Sequence, residues 1–404
     1  MVATSLEGLI GAVNPDELVE IAREFIRIPS PSGEEAAVME FARKLLADHG
    51  IAVRVLARDP DRPNVIGWVG SGGGPILVFN GHLDTVPVPD PWAWSVGPFS
   101  GELVDGKLYG RGASDMKGSC AAMAYALILL GRHCPDLPGQ VQLQLVSDEE
   151  RGGHFGTGFL IEQIQAGVLP RPDAVLVGEK SDLKLRIAER GVFQFKVRFT
   201  GKATHTAYAR AEGVNAVALA ARAVVALDCP INRFHPAVGY PVISVNMFHG
   251  GQTPNQVPAE AVITIDRRTV PGETMESVLA EVRQTLDRVV AEFGAGGYEI
   301  LTQAEEGQIP FMPANLTDPN SRLVQTIRMA YQQVIGKEPE FFVDWAGATD
   351  GRLYRQAGID TVVFGPVGFH AHGPDEHVLV DSLVTQLKVY LATAFNLLTK
   401  ARPE

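Results

Sequence analysis

Five short polar segments of this sequence place carboxylates and imidazoles where a strand ends or a helix begins. These segments are residues 80–85, 110–118, 147–150, 178–179 and 370–376. The site of an open α/β sheet lies at the carboxyl ends of its strands, so we expect the segments to converge. Four carboxyl clusters crowded at one edge would repel one another unless a cation were present. Carboxylates with imidazoles suit zinc, or less selectively manganese or cobalt.

Each segment taken alone has a simpler interpretation. Asp84 could be a turn residue, and Asp115 could cap a helix, as Asp commonly does. Glu149 and Glu150 could form an exposed acidic loop, and one histidine after a strand is more often structural than a ligand. Only the joint occurrence of the segments favours a metal site.

The elements that must position these segments alternate between strand and helix. In chain order the pattern predicts strand 76–79, helix 118–131, strand 141–146, helix 158–164 and strand 173–177. This alternation predicts an α/β layer with a mixed, largely parallel sheet flanked by helices. Upstream, the strand 64–69 and the glycine-rich link 70–74 predict a β-hairpin with strand 76–79.

A different pattern occupies residues 190–302. Its predicted elements are strand 193–199, helix 214–226, strands 242–248 and 261–267, helix 275–293 and strand 298–301. The order β-α-β-β-α-β is that of the split βαβ, ferredoxin-like motif. Helix–strand alternation then resumes. We therefore predict one α/β domain made of residues 1–189 and 303–404, interrupted by an α+β insert at 190–302.

Composition excludes several classes of protein. The 404 residues carry a formal charge of −12, which disfavours binding to nucleic acid or to an anionic membrane. The longest apolar run, residues 120–130, is too short to span a bilayer. Three scattered cysteines make no disulfide framework, and the first residues lack the basic segment of a signal peptide. We expect a cytoplasmic protein with no nucleic-acid or membrane partner.

Five motifs point in their order and spacing to one enzyme family. Residues 82–87 (HLDTVP) match H-x-D-x-V-P, and residues 109–118 (YGRGASDMKG) contain G-R-G-x-x-D-M-K-G. The segments DEE at 148–150, GE at 178–179 and HGPDE at 372–376 follow in turn. Over nearly its whole length the chain resembles the dizinc metallopeptidase and deacylase family of acetylornithine deacetylase, succinyl-diaminopimelate desuccinylase, aminoacylase and glutamate carboxypeptidase.

The resemblance implies a centre of two divalent metal ions, zinc first, with cobalt or manganese as alternatives. His82 and Glu179 would bind one ion, Glu150 and His372 would bind the other, and Asp115 would bridge both.

The family also implies roles for residues beside the ligands. Asp84 would hydrogen-bond the His82 ring and fix its tautomer. Glu149 would be the general base. His370 is an alternative ligand to His372, and we choose His372 because the family places its histidine just before the P-D-E segment.

The insert resembles the family's lid and dimerisation domain, which implies a homodimer. The segment FTGKATHT points to His205, whose counterpart reaches the active site of the partner subunit. The segment GGQTPNQVP points to Asn255, and DRR points to Arg268 as the anchor of a substrate carboxylate, unless it is a surface arginine. The segment GATDGR, with Gly347 and Thr349, resembles a stretch near the substrate tail.

These features together predict an amidohydrolase. The reaction implied is removal of an N-acyl group, acetyl, succinyl or similar, from an amino acid by metal-activated water. A dipeptidase or carboxypeptidase of the same mechanism is one alternative, and a metal-binding homologue without catalysis is another. A nucleotide-binding protein is disfavoured, because the glycine-rich residues 152–158 follow Glu149 and Glu150 instead of opening a phosphate site.

Overall fold

The computed structural model describes residues 5–303, 309–343 and 347–399. Its helices are α1 (Leu6–Gly11), α2 (Pro15–Arg27), α3 (Ala36–Asp48), α4 (Lys117–His133), α5 (Thr157–Gln165), α6 (Ala209–Glu212), α7 (Ala216–Leu227), α8 (Met275–Phe293), α9 (Arg322–Ile335), α10 (Gly351–Gln356) and α11 (Val380–Thr399). Its strands are β1 (Ala52–Leu56), β2 (Asn64–Val69), β3 (Ile76–His82), β4 (Leu103–Val104), β5 (Lys107–Tyr109), β6 (Gln140–Val146), β7 (Ala174–Val177), β8 (Ala188–Glu189), β9 (Gly191–Thr200), β10 (Thr204–His205), β11 (Val242–Gly250), β12 (Gln256–Val257), β13 (Glu260–Thr269), β14 (Gly297–Leu301), β15 (Asn315–Leu316), β16 (Asp360–Val363), β17 (Gly368–Phe369) and β18 (His377–Leu379).

The chain divides into two compact units. The larger unit takes in the described residues up to Ile187, Thr317–Phe342, and those from Ala348 onward. The smaller unit takes in the described residues from Ala188 to Leu316, with Val343 and Gly347. It extends past residue 302 because β15 pairs with β8 and residue 312 bridges to residue 192.

The larger unit is built on a six-stranded sheet in the order β1-β2-β6-β3-β7-β16. The pairs β6–β3, β3–β7 and β7–β16 are parallel, whereas β1–β2 and β2–β6 are antiparallel. Helix α4 packs against β2, β3 and β6 and also against α2 and α11, so its residues are buried from Lys117 to Leu130. This confirms the predicted mixed, largely parallel sheet flanked by helices.

The predicted hairpin of residues 64–69 and 76–79 is wrong. Strand β6 lies between β2 and β3, antiparallel to the first and parallel to the second. The link passes over the start of β6, where Gly72 N–H donates to Gly139 O at 3.1 Å. Gly70 has φ +100° there, and a Cβ on it would lie 2.3 Å from the same oxygen. The glycines therefore allow the link to pass close over a third strand, and they do not form a turn between two paired strands.

The smaller unit has the strand order β11-β13-β9-β14, with antiparallel neighbours throughout. With α7 and α8 in their chain positions, this is the predicted split βαβ arrangement. Alternate side chains of β9 face the core, where Phe193, Phe195 and Phe199 pack among buried residues of α7 and α8.

No helix in the described ranges has both the length and the apolar composition that a membrane crossing requires.

Candidate metal centre

Three neighbouring parallel strands deliver side chains to one edge of the large sheet. Strand β3 ends at His82, β6 is followed by the turn with Glu149 and Glu150, and β7 is followed by Glu179. Asp115 lies just before the N-terminus of α4. The structure thus brings these segments together, as expected for the carboxyl ends of parallel strands.

Asp115 stands between two histidines. Its Oδ1 lies 3.1 Å from His82 Nε2, and its Oδ2 lies 3.1 Å from His372 Nε2. Glu179 Oε1 lies 3.2 Å from His82 Nε2, and Glu150 Oε2 lies 3.2 Å from His372 Nε2. Each histidine therefore faces one carboxylate of its own and one oxygen of a shared carboxylate.

The described residues contain two groups whose ligand atoms converge within 4.8 Å of one another: His82, Glu149 and Glu179 in one, and Asp115, Glu150 and His372 in the other. Oxygen and imidazole nitrogen donors of this kind are ligands of zinc and related divalent ions. Glu150 Oε1 is buried without a hydrogen-bond partner among the described residues, so its lone pairs are available to a metal ion. The side chains fit a pair of divalent cations.

Burial and neighbouring charges shift the pKa values of the carboxylates at the centre. Burial raises the pKa of Glu179 to about 7, and the nearby Asp115 charge adds to the shift. Burial also raises the pKa of Glu149 well above its usual value, and the charge of Glu179 acts in the same direction. For Asp115, burial is outweighed by hydrogen bonds from His372 and His82, which lower its pKa.

The pKa values of the two histidines are shifted upward. Hydrogen bonds to Asp115 and Glu150 raise the pKa of His372 to about 10. Burial opposes protonation of His82, but hydrogen bonds to Asp115 and Glu179 raise its pKa above the ordinary value. Both upward shifts arise from the carboxylates that face each imidazole.

Asp84 contacts the His82 ring in a different way from the prediction. His82 Nδ1 donates to the main-chain oxygen of Asp84 at 2.9 Å, whereas the Asp84 carboxylate lies 3.6 Å from that nitrogen. The carboxylate instead accepts from Ser32 Oγ at 2.6 Å and from the N–H groups of Glu149 at 3.1 Å and Glu150 at 3.2 Å. The carbonyl therefore fixes the tautomer, and the carboxylate holds the Glu149–Glu150 turn.

Glu376 and Arg111 support the centre, and the sequence reasoning gave them no role. Glu376 accepts N–H bonds from Gly112 at 3.0 Å, Ser114 at 2.9 Å and Asp115 at 3.0 Å. Arg111 Nη1 lies 2.5 Å from Glu376 Oε2, and its Nη2 donates to the carbonyl of His372 at 3.3 Å. The pair joins the loops of Asp115 and His372. Both residues stand within the motifs quoted above, which was the available signal.

The predicted lid residues lie in the smaller unit. His205 is exposed at the end of β10, and its Nδ1 accepts from Ala207 N–H at 3.2 Å. The exposed Asn255 adjoins it in the fold, because its carbonyl accepts from Thr206 N–H at 3.0 Å. Arg268 Nε is bonded to Asp266 Oδ1 at 2.7 Å along the same strand.

The two residues predicted near the substrate tail fall on either side of the division between units. Gly347 belongs to the smaller unit and Thr349 to the larger one. Thr349 is buried, and its Oγ1 accepts from Gly351 N–H at 3.1 Å.

Curated relatives align with almost the entire chain. A succinyl-diaminopimelate desuccinylase of Methylococcus capsulatus is 32% identical over 397 residues, covering 95% of this chain and 99% of the relative. The enzyme of the same name from Pseudomonas syringae pv. syringae is 31% identical over 392 residues, covering 94% and 98%.

Solved structures share the fold. Aminopeptidase PepT of Bacillus cereus has a TM-score of 0.73 at 21% identity, covering 95% of this chain and 99% of the other. A dinuclear metal-binding peptidase of Bacillus subtilis has a TM-score of 0.68 at 19% identity, covering 95% and 98%. The sequence model described as Peptidase family M20/M25/M40 matches residues 78–396, so the resemblance is confirmed and the chain belongs to that family.

Proposed function

We propose that this protein is a dinuclear-metal amidohydrolase that removes an N-acyl group from an amino acid. The observation that carries the proposal is the shared carboxylate, Asp115, with one oxygen facing His82 and the other facing His372. The desuccinylase relatives make an N-succinyl amino acid the first substrate to test, followed by N-acetyl and similar amides.

In this proposal five side chains hold two cations. His82 and Glu179 would hold one ion, Glu150 and His372 would hold the other, and Asp115 would be shared by both. Zinc suits the donor set, and cobalt and manganese are the alternatives. The grouping is supported by the contacts of 3.1–3.2 Å that link each histidine to its carboxylates.

Glu149 is the proposed general base. Two cations in such a site supply Lewis-acid polarisation of the amide carbonyl and lower the pKa of a water molecule. Glu149 takes a proton from the attacking water oxygen, which forms a bond to the carbonyl carbon. Glu149 then gives that proton to the amide nitrogen as the carbon–nitrogen bond breaks, which leaves a carboxylic acid and an amine. The remaining proton of the acid passes to the amine, so the products are a carboxylate and an ammonium ion. Asp84 holds the main chain of Glu149 in place for this transfer.

The smaller unit is the proposed lid of a homodimer. His205 would donate a hydrogen bond to the substrate carbonyl oxygen in the partner's site, and Asn255 would contact the same region. Arg268 would bind the substrate carboxylate, and Gly347 and Thr349 would line the substrate tail. The proposal is supported by the family's lid motif and by the exposure of His205.

We also propose a cytoplasmic location, which the scarcity of cysteine supports. The three cysteines all lie in the described ranges, and none of them forms a disulfide bond.

The test is a substrate panel assayed with zinc, cobalt or manganese. It should contain N-succinyl and N-acetyl amino acids beside unmodified dipeptides and tripeptides. The proposal expects hydrolysis of N-acyl amino acids at least about tenfold faster, in kcat/KM, than that of peptides. Faster hydrolysis of peptides would assign the chain as a peptidase of the same mechanism. Metal binding without hydrolysis of any compound would assign a non-catalytic homologue.

A further inference from the structure

The two adjacent carboxylates of the centre leave the sheet through an unusual turn. Asp148, which precedes Glu149, adopts the left-handed conformation, with φ +71° and ψ +10°. A residue with a side chain rarely holds this conformation unless its surroundings fix it. The Asp148 carbonyl accepts from Arg151 N–H at 3.1 Å and Gly153 N–H at 2.7 Å, which closes the turn.

The side chain of Asp148 belongs to a buried ion cluster. Arg62 Nη2 lies 2.6 Å from Asp148 Oδ1 and 2.7 Å from Glu35 Oε1. The guanidinium also lies over the ring of Phe155, 4.5 Å from its centroid. The other oxygen of Asp148 accepts from Phe155 N–H at 3.1 Å. Glu35 and Asp148 are almost completely buried, so both depend on Arg62 for charge balance.

The turn is therefore held from two directions. Arg62 forms an ion pair with Asp148, while the Asp84 carboxylate accepts hydrogen bonds from the N–H groups of Glu149 and Glu150. From this position Glu149 joins the group around His82, and Glu150 joins the group around His372. One displaced turn would misplace donors in both groups at once.

We propose that Arg62 is a positioning residue, which acts through Asp148 to fix the turn that aims Glu149 and Glu150 at the two metal positions. Arg62 itself contacts Glu35, Asp148 and Phe155, and it contributes no atom to either ligand group. The consequence for metal binding and turnover rests on the proposed function, whereas the consequence for the turn rests on the contacts alone.

The first test compares Arg62→Lys with Arg58→Lys. Lysine keeps the charge but lacks the Nε that contacts Glu35 Oε2 at 3.4 Å and the planar group that lies over the Phe155 ring. Arg58 is the matched control, because it also pairs with a carboxylate, Glu162, and lies 5.5 Å from the centroid of an aromatic ring, but at the surface. Amide hydrogen exchange is measured on the metal-free proteins over residues 147–156. Arg62→Lys should speed exchange in this segment at least about tenfold, and the control should not.

Metal affinity and kinetics follow on the same variants. Loss of a residue that orients ligands typically costs about 10- to 100-fold in metal affinity or activity. Arg62→Lys should therefore weaken zinc binding, measured by competition with a chelator, and lower kcat while KM changes less than about twofold. A purely structural role would lower the melting temperature and leave exchange at 147–156, zinc affinity and kcat at the control values. That result would overturn the proposal.

Asp148→Asn is the second variant, and it carries the test alone if the lysine variant does not fold. Where both single variants fold, the double variant is measured as well. Asparagine tolerates the left-handed conformation and can still accept from Phe155 N–H, but it removes the charge that Arg62 grips. It should loosen the same segment, and combining it with Arg62→Lys should add little, since both break one contact. Fully additive effects on exchange would show that Arg62 does not act through Asp148. A wild-type protein that binds no metal would refute the proposed function. The exchange measurements would still test whether Arg62 fixes the turn through Asp148.

Discussion

Replacing Glu149 by glutamine should separate bond cleavage from metal binding. Glutamine keeps the size of the side chain, and the main-chain N–H that donates to Asp84 Oδ1 at 3.1 Å is retained. The change removes only the group that accepts a proton. A positioned general base contributes about 10²- to 10⁴-fold in rate. At 1.36 kcal/mol per tenfold, we expect kcat to fall by the equivalent of about 2.7–5.4 kcal/mol of activation free energy.

The structure also predicts the effect of this substitution on stability. Glu149 is half-buried. Its desolvation and the charges of Glu179, Asp350 and Asp115 oppose its ionisation more strongly than His82 favours it. A neutral glutamine relieves that repulsion, so the metal-free variant should melt at a temperature equal to or above that of the metal-free wild type at pH 8. A melting temperature several degrees lower would contradict the placement of Glu149 among these carboxylates.

The assay measures hydrolysis of an N-acyl amino acid together with metal content by elemental analysis. Glu162→Gln is the control, since it neutralises an exposed glutamate that pairs with Arg58. Wild-type turnover in Glu149→Gln would assign proton transfer to another residue. Loss of one metal ion would show that Glu149 is a ligand and that Glu150 holds the role of the base.

Three further predictions concern the metal, the lid and the core of the smaller unit. Prolonged chelation should abolish hydrolysis and zinc or cobalt should restore it; activity that survives complete metal removal would contradict the account. His205→Ala and Glu149→Ala should each be nearly inactive, with a rate loss of about 10²- to 10³-fold for the histidine variant. If His205 acts across a dimer, refolding the two variants as a mixture should recover part of the activity. Confirmed heterodimers without activity would exclude a shared site. Glu273→Ala removes the carboxylate that lies 2.7 Å from the buried Arg267. This loss should lower the free energy of unfolding by about 3–5 kcal/mol, measured by denaturant titration beside the exposed-site control Glu299→Ala. A loss no larger than that of the control would contradict this prediction.

The convergence of the proposed ligand side chains was predictable because their positions follow from strand ends and motif spacing. His82 and Glu179 end or follow parallel strands that are neighbours in the sheet, so convergence required no knowledge of side-chain contacts. The split βαβ order of the smaller unit was equally predictable from the sequence, because the alternating burial of its strands matches their apolar pattern. Here local periodicity and global topology agree.

Strand neighbours and side-chain partners were harder to predict. Nothing in the pattern of residues 64–79 indicates that β6, which comes much later in the chain, pairs between β2 and β3. The sequence H-x-D is equally compatible with a carboxylate or a carbonyl facing the imidazole, and the structure uses the carbonyl of Asp84. Arg62 and Glu35 belong to no motif, and their role depends on a contact with the distant Asp148.

The most direct test of the account is a titration of the metal-free protein with zinc while hydrolysis of an N-succinyl amino acid is followed. We predict no hydrolysis at the start and full activity once about two equivalents have bound, as a two-metal site requires. Full activity before any zinc is added, with elemental analysis showing no metal, would contradict the central claim. Saturation with zinc, cobalt or manganese without cleavage of any N-acyl amino acid would contradict it equally.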